Sequence, residues 1–326
     1  MNLTLIKQNG SSYDITDAVT RIEWSGSASQ AARQLSFDYI NAPFDSYGLP
    51  AVSTGDLVSF TPDTEEVFYG QIFGSEKSSA VGTITFTAYD MMKNLLESTA
   101  QYNFKNTTPE AVAQKVCGDA QIPIQSVYST GVNIASMLCD DMSLYDVIMA
   151  AYTKAYRTTG DKYFPMIYKR GLGVYKAEWV VAGFTIADDD NLTSSSISET
   201  MDSIVNQVKI YDDNGNQIGE ATDSGSQGKY GVFQKTYKQE EGINPQDGAK
   251  ALMSVTPSQS IKISAVGDAG CLSCYFVLVS DGATGLSGKY WISSDKHTWE
   301  NNHHMMDLEL KFDSIMEEVE SSTEGS

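Results

Sequence analysis

Two segments near opposite ends of the chain follow one pattern. Each has an aromatic start, an apolar strand, a Ser-acid-Lys step, a polar turn and a closing strand; they are residues 69–90 (YGQIFGSEKSSAVGTITFTAYD) and residues 290–312 (YWISSDKHTWENNHHMMDLELKF). Apolar residues alternate along both closing strands, at Ile84, Phe86 and Ala88 and at Leu308, Leu310 and Phe312. This alternation is typical of a strand with one buried face. The chain is therefore expected to carry two similar β units, although chance similarity between hairpins is an open alternative.

Length and composition predict a globular protein of two or three domains. The chain has 326 residues, 41% of them hydrophobic, and no apolar run approaches the roughly 20 residues of a membrane span. The N-terminal sequence MNLTLIKQNG lacks the apolar region of an export signal. We therefore expect reduced thiols at all four cysteines, which are Cys117, Cys139, Cys271 and Cys274.

The charge balance argues against nucleic-acid binding. The formal net charge is −20, and the basic residues are scattered along the chain. Such a surface repels phosphate and offers no cluster of cations to replace its counterions. We expect neither specific nucleic-acid binding nor a membrane segment.

The middle of the chain changes from strands to helices. Thr108-Pro109 is a helix start, with a Thr N-cap and Pro at the first helical position. Ser143 starts a second, strongly amphipathic helix that ends at Gly160. Tyr163 to Tyr175 then reads as a hairpin, which completes a small α/β domain over residues 98–190.

Residues 191–312 return to β structure. Asn214-Gly215 predicts a tight hairpin, because both central positions favour positive φ. Residues 221–231 are rich in Gly and Ser and predict a mobile loop, and Asn244 to Val255 predicts a helix. Residues 313–326 form an acidic tail, for which we expect a frayed helix or disorder with no core to join.

The cysteines and histidines are the main candidates for site chemistry. Cys271 and Cys274 have C-x-x-C spacing, but they precede a predicted strand rather than the helix of a redox motif. A zinc site would need further ligands from His297 and from His303 or His304, and adjacent strand residues point to opposite faces. Structural cysteines are the favoured interpretation, with zinc and redox roles as alternatives.

Acidic clusters and known catalytic motifs add little. Asp140-Asp141, Asp188 to Asp190 and Asp212 to Asn216 read as solvated turns, and the last has Gly at the fourth position instead of the sixth that a calcium loop needs. The chain contains no nucleophile elbow, P-loop or dinucleotide fingerprint. The sequence predicts no enzyme activity and no catalytic, cofactor or metal site.

The order of features along the chain resembles the baseplate hub proteins of contractile phage tails and phage-tail-like particles, more narrowly the XkdQ/YqbQ type with its similarity to late-control-D tail hubs. The segments that carry the resemblance span nearly the whole chain: ITDAVTRIEWSGSASQAARQLSFDY (15–39), residues 68–98, MSLYDVIMAAYTKAYRTTGDKYF (142–164), ISETMDSIVNQVKIYDDNGN (197–216) and GKYWISSDKHTWENNHHMMDLEL (288–310). None of them is a catalytic signature.

The resemblance implies an α+β, mainly β fold, in which two tube-like β-barrel units flank a small α/β domain. The units are residues 1–97 and 191–312, the second with an inserted loop and helix. It also implies a homotrimer that joins the tail tube protein to the spike protein and contacts other baseplate proteins. The expected location is the baseplate of a virion or tail-like particle, assembled in the bacterial cytoplasm.

Two other functions stay open at the level of sequence. A cell-wall (peptidoglycan) hydrolase would need a cleft with paired carboxylates or a zinc triad. A carbohydrate-binding β module would need exposed aromatic side chains, for which Trp291 and Trp299 are candidates, although both also suit packing positions.

Overall fold

The structure is a computed structural model, and it describes residues 1–41, 48–77, 82–239 and 244–322. The chain divides into two compact units, residues 1–195 with 262–326 and residues 196–261. Strands dominate both units, so the predicted α+β, mainly β fold is confirmed. Closure of the strands into barrels stays a prediction.

The first part of the larger unit is a twisted antiparallel sheet. Its strands lie in the spatial order β2-β1-β5-β6-β7-β4-β3. Alternating side chains from these strands form one buried cluster around Leu35, Phe37 and Phe60. The strands are β1 (Asn2–Ile6), β2 (Ser12–Asp14), β3 (Val19–Ser27), β4 (Gln30–Ile40), β5 (Leu57–Thr61), β6 (Phe68–Lys77) and β7 (Thr83–Tyr89).

The helical part that follows confirms the predicted helix starts. The Thr108 hydroxyl accepts a hydrogen bond from Ala111 N, and the Ser143 hydroxyl accepts one from Asp146 N. Gly160 ends the second helix at φ +78°. The elements are α1 (Met92–Glu97), β8 (Thr99–Thr107), α2 (Pro109–Asp119), β9 (Ile124–Val127), β10 (Ile134–Ser143), α3 (Leu144–Thr159), β11 (Tyr163–Tyr168) and β12 (Gly171–Lys176).

The smaller unit is a three-stranded sheet with two short helices. The predicted Asn-Gly hairpin joins its first two strands. The predicted mobile loop at 221–231 is wrong, because the Asp223 carboxylate caps a helix there by accepting a hydrogen bond from Ser226 N. Before this unit, the larger unit contributes β13 (Val180–Ala187) and the start of β14 (Leu192–Thr200). The elements of the smaller unit are β15 (Gln207–Tyr211), β16 (Gln217–Thr222), α4 (Ser224–Tyr230), β17 (Gln234–Lys238) and α5 (Pro245–Ala251).

The last four strands return to the larger unit. They are β18 (Ser258–Val266), β19 (Phe276–Asp281), β20 (Leu286–Glu300) and β21 (His303–Lys311). With β13 and β14 they lie in the order β14-β18-β21-β20-β19-β13. The predicted hairpin at 290–312 is β20–β21, and Asn301 and Asn302 at its turn both have positive φ.

The first and last sheets share one strand order. Read from β3, the first is β3-β4-β7-β6-β5-β1, and the last is β14-β18-β21-β20-β19-β13. If the six strands of each set are numbered along the chain, leaving out β2, both sets have the spatial order second, third, sixth, fifth, fourth, first. One pair differs, because β1 and β5 are antiparallel whereas β13 and β19 are parallel.

The matched hairpins also share an irregularity. The β6–β7 register shifts after Ile72, and the β20–β21 register shifts after Ile292. A shift of this kind is a β-bulge, which bends a strand and re-aims the side chains that follow it.

The acidic tail differs from its prediction. Met316 and Val319 pack against the helical core, and Val319 N donates a hydrogen bond to Thr153 Oγ1 at 3.0 Å. Arg157 on α3 forms ion pairs with Glu318 and Glu320. Residues 313–322 therefore do have a core to join, and residues 323–326 lie outside the described residues. The predicted domain boundaries at 97, 190 and 312 stay a prediction.

None of the helices in the described ranges has both the length and the apolar character needed to cross a membrane.

Candidate functional site

The first and last strand sets are halves of one 13-stranded sheet, and they meet along one seam. The second half of β20 pairs antiparallel with β3, from Ser294 opposite Ser27 to Glu300 opposite Arg21. The first half of β20 pairs instead with β19. Residues more than 260 positions apart in sequence therefore share one hydrogen-bonded ladder.

A buried ion pair lies under this seam. Arg33 on β4 is 4% exposed and Asp295 on β20 is 2% exposed. Arg33 Nη1 donates to Asp295 Oδ1 at 3.0 Å, Nη2 donates to Oδ2, and Ser273 N also donates to Oδ1 at 2.6 Å. The guanidinium reaches Asp295 by crossing Gly26, where a Cβ atom would lie 2.3 Å from Nη1. A side chain at that position would displace the guanidinium from the place it occupies in the pair.

The pair sets the charges around it. Burial opposes ionisation of Asp295, but the Arg33 charge and hydrogen bonds outweigh burial and lower the pKa of that carboxyl. Arg33 also lies over the Trp24 ring, with Cζ 4.2 Å from its centroid. Asp90, which accepts from the backbone N of Arg33 and of Met92, has its pKa raised to about 7 by burial.

Two of the predicted zinc-ligand candidates meet beside the ion pair. His297 Nδ1 lies 3.1 Å from His304 Nε2, and His297 Nε2 lies 3.1 Å from the Cys271 carbonyl oxygen. The carbonyl can only accept, so His297 Nε2 carries the proton and His304 Nε2 donates to Nδ1. Burial lowers the pKa of both rings, that of His304 to about 4. His303 is exposed on the other face.

The C-x-x-C cysteines lie at the edge of the same cluster. Cys271 is fully buried and Cys274 is partly buried, and both are free thiols. Burial raises the pKa of the Cys271 thiol, and it raises that of Cys274 to about 12. A thiol with a raised pKa is a poor nucleophile and a poor metal ligand. Over the ranges that the structure describes, no three His, Cys, Asp or Glu side chains form a group able to hold a metal ion.

The other sequence candidates lie apart from this cluster. Asp188 caps a turn by accepting from Gly282 N, and Asp212 closes the β15–β16 turn by accepting from Asn214 N and Asn216 N. Trp291 is 1% exposed and Trp299 is 8% exposed. These two tryptophans are packing residues and offer no surface for a sugar ring.

Comparison with known proteins agrees with this geometry. Residues 22–311 match the family model described as YQBQ-like. This chain belongs to that family. The predicted resemblance to proteins of the XkdQ/YqbQ type is therefore confirmed.

Two relatives are from Bacillus subtilis (strain 168). The uncharacterized protein YqbQ is 29% identical over 269 residues, which are 80% of this chain and 82% of YqbQ. The phage-like element PBSX protein XkdQ is 29% identical over 279 residues, which are 82% of this chain and 85% of XkdQ.

The fold is that of a prophage tail protein. The 43 kDa tail protein of prophage MuSo2 from Shewanella oneidensis superposes with a TM-score of 0.70 at 16% identity, over 95% of this chain and 98% of that protein. Family and fold together support a structural component of a phage-type tail.

We expect Arg33→Met to lower the free energy of unfolding by about 3–5 kcal/mol, because Asp295 then stays buried without its partner. Adding Asp295→Asn removes the second charge, retains an acceptor for Ser273 N and should recover most of the loss. Urea unfolding measures both. Arg157→Met, which removes an exposed arginine, is the control and should cost at most about 1 kcal/mol. Equal losses for Arg33→Met and Arg157→Met would contradict this assignment.

The lowered pKa of His304 makes stability depend on pH. The folded protein takes up this proton only near pH 4, whereas the unfolded chain takes it up near its ordinary value of about 6.5. Wild type should therefore lose stability relative to His304→Gln as pH falls from about 6.5 towards 4, by about 1 kcal/mol after allowance for partial exposure. The opposite contribution of Asp90 cancels in this difference. Parallel pH dependences of the two proteins would contradict the prediction.

Replacing Cys271 and Cys274 by serine, singly or together, should leave the fold and any assembly largely intact. Each change puts a hydroxyl where a small apolar thiol was buried, at a cost on the order of 1 kcal/mol. Thermal unfolding and metal analysis of the purified protein measure the outcome. Loss of folding together with stoichiometric zinc in the wild-type protein would revive the metal site.

Proposed function

We propose that this protein is the structural hub of a contractile tail baseplate, with no catalytic role of its own. Three copies form a ring that joins the tail tube above to the central spike below, in contact with other baseplate proteins. The observation that carries the proposal is the strand order shared by the first and last sheets. It supports two tube-like β units per chain, the first within residues 1–97 and the second made of β13, β14 and β18 to β21, so that the second unit starts at Val180, before the predicted boundary at residue 191. Residues 196–261 are inserted in the second unit.

Two similar units in one chain would let a trimeric ring contact partners of different symmetry. A tube of sixfold symmetry and a spike of threefold symmetry share no common set of identical contacts. Three chains with two similar units each present six similar surfaces on one side and three identical chains on the other. The proposed location follows: the baseplate of a phage or tail-like particle, assembled in the bacterial cytoplasm.

The seam inside the chain suggests the contact between chains. In the shared strand order, β6 is equivalent to β20, and β14 is equivalent to β3. The equivalent of the β20–β3 ladder would therefore form between β6 of one copy and β14 of the next. Beyond Ile72, β6 pairs only with β7 among the described strands, and the outer edge of β14 pairs with none of them. Both edges are therefore open for a second copy of this chain.

The charges along these two edges fit such a pairing. β6 can be aligned on β20 by their bulges, and β14 can be aligned on β3 because both strands have nine residues. The β20–β3 register then places Ser75 opposite Glu199 and Lys77 opposite Ile197. Lys77 is then a diagonal neighbour of Glu199, within reach of an ion pair. Local pairing of this kind matters, because three chains bring about 60 negative charges into one ring.

Cross-linking tests the ring. We expect Ser75→Cys with Glu199→Cys to yield cross-linked products of up to three chains in assembled particles treated with a short bismaleimide. The native thiols are buried or partly buried, and Ser75→Cys with Asp17→Cys is the matched control. The ring should also persist or strengthen as salt rises, since screening weakens repulsion between acidic chains.

The outcomes separate the seam from the hub. Three copies per particle without the cross-link would contradict the β6–β14 contact and leave the hub in place. A copy number that is not three, or a position away from the tube–spike junction in electron micrographs of whole particles, would contradict the hub itself.

A further inference from the structure

A groove of about 440 Å³ lies on the larger unit, and its lining includes no residue of the β6 and β14 edges that the proposed ring uses. Its walls are the β5–β6 turn, the β11–β12 hairpin and the loop before β19. Trp24 and Arg33 are among the residues that line it, which places it over the buried ion pair.

The groove has an aromatic wall that water reaches. Trp179 is 52% exposed, whereas the other three tryptophans are 8% exposed or less. The Trp179 ring centroid is 5.3 Å from that of Tyr175 and 6.1 Å from that of Tyr275. Tyr168 also lines the groove, and Lys169 lies over its ring at 5.2 Å. Among the described residues, no cation lies over Tyr175, Trp179 or Tyr275, and all three rings line one groove.

Another part of the lining, the β5–β6 turn, is acidic. Asp63 and Glu65 are exposed on the β5–β6 turn, and neither forms an ion pair with any residue that the structure describes. Glu66 next to them is already paired with Arg170, whose Nε lies 2.8 Å from Oε1. Two carboxylates without an ion pair among the described residues thus line the same groove as the aromatic rings.

Two buried donors lie among the lining residues. Trp24 Nε1 and Arg33 Nε have no hydrogen-bond partner among the described residues, although Trp24 is 2% exposed and Arg33 is 4% exposed. Both atoms are closed to solvent, so these two side chains form the floor of the groove and their unpaired donors are not contacts for a ligand.

We propose that this groove binds an extended, lysine- or arginine-bearing segment of a partner protein. The cationic head lies between the aromatic faces and the carboxylates of Asp63 and Glu65, and its aliphatic stem covers the rings. A second copy of this chain is a poor occupant, since its net charge is −20. The site needs no ring and so stands apart from the proposed hub.

Titration of the full-length protein with two synthetic peptides tests the proposal. The probes are acetyl-Leu-Lys-Leu-Lys-Leu-amide and its glutamate counterpart, followed by calorimetry and by acrylamide quenching of the Trp179 fluorescence. We expect the lysine peptide to bind and to protect Trp179, and the glutamate peptide not to bind. Trp179→Ala should weaken binding about tenfold, since one cation–aromatic contact is worth about 1–2 kcal/mol.

Charge variants complete the design. Asp63→Asn with Glu65→Gln should also weaken the lysine peptide about tenfold at low salt, and less at high salt. Asp17→Asn with Asp202→Asn removes the same charge from exposed positions outside the groove and should change affinity less than about twofold. Trp179→Phe keeps an aromatic face and should retain part of the affinity.

Every other outcome overturns the proposal. Equal binding of both peptides would mean that the groove binds apolar side chains without selecting a cation. Binding of neither peptide would mean that the groove is not a peptide site. Binding of chitotriose in place of the lysine peptide would make it a glycan site. Self-association that Trp179→Ala abolishes, in the absence of peptide, would make it a contact between copies of this chain.

Discussion

The ion pair between Arg33 and Asp295 is the interaction on which the arrangement of the larger unit depends. A buried pair of this kind adds little net stability, because desolvation of both charges offsets their attraction. Its effect is on specificity. Sliding β20 by one residue against β3 would turn Asp295 to the other face and leave Arg33 buried alone. Gly26 is compatible with this arrangement, since a Cβ atom there would overlap the guanidinium where it now lies.

The sequence shows part of this arrangement. Arg33 lies two residues before Leu35 and shares its buried face of β4. Asp295 lies two residues before His297 and shares its buried face of β20. A charged residue in an apolar phase indicates a buried partner of opposite sign. Nothing local shows which of 42 acids that partner is. The link spans 262 residues and depends on how two sheets meet.

The repeated hairpin shows how far pattern reading goes. Both hairpins are pairs of antiparallel strands as predicted, although the first turn, at residues 78–81, lies outside the described residues. Phe86 and Leu308 are buried at matched positions. When the bulges after Ile72 and Ile292 are aligned, Ser75 matches Asp295 instead of Ser294. The Ser-acid-Lys steps seen in the sequence are therefore not at equivalent positions in the two hairpins. The predicted inward position of Phe312 is wrong, since it follows β21 and is 56% exposed.

Helix starts were predictable because their signals are local, whereas the tail was not. Thr108 and Ser143 satisfy backbone N–H groups within three residues of themselves. The segment at 313–322 carries acids and few apolar residues, which favours disorder when it is read alone. Its order comes from Arg157 and Thr153 on α3, and only the folded chain brings these residues to it.

The two kinds of seam in the proposed ring differ in a way that suits assembly. The β20–β3 seam forms within one chain and is fixed by buried charges that have no counterpart at Ser75. The β6–β14 seam must stay open until copies meet, and its edges carry Glu76, Lys77 and Glu199. Charged residues on open strand edges oppose indiscriminate pairing. A permanent seam and a protected seam at matched positions therefore let one chain fold first and close the ring afterwards.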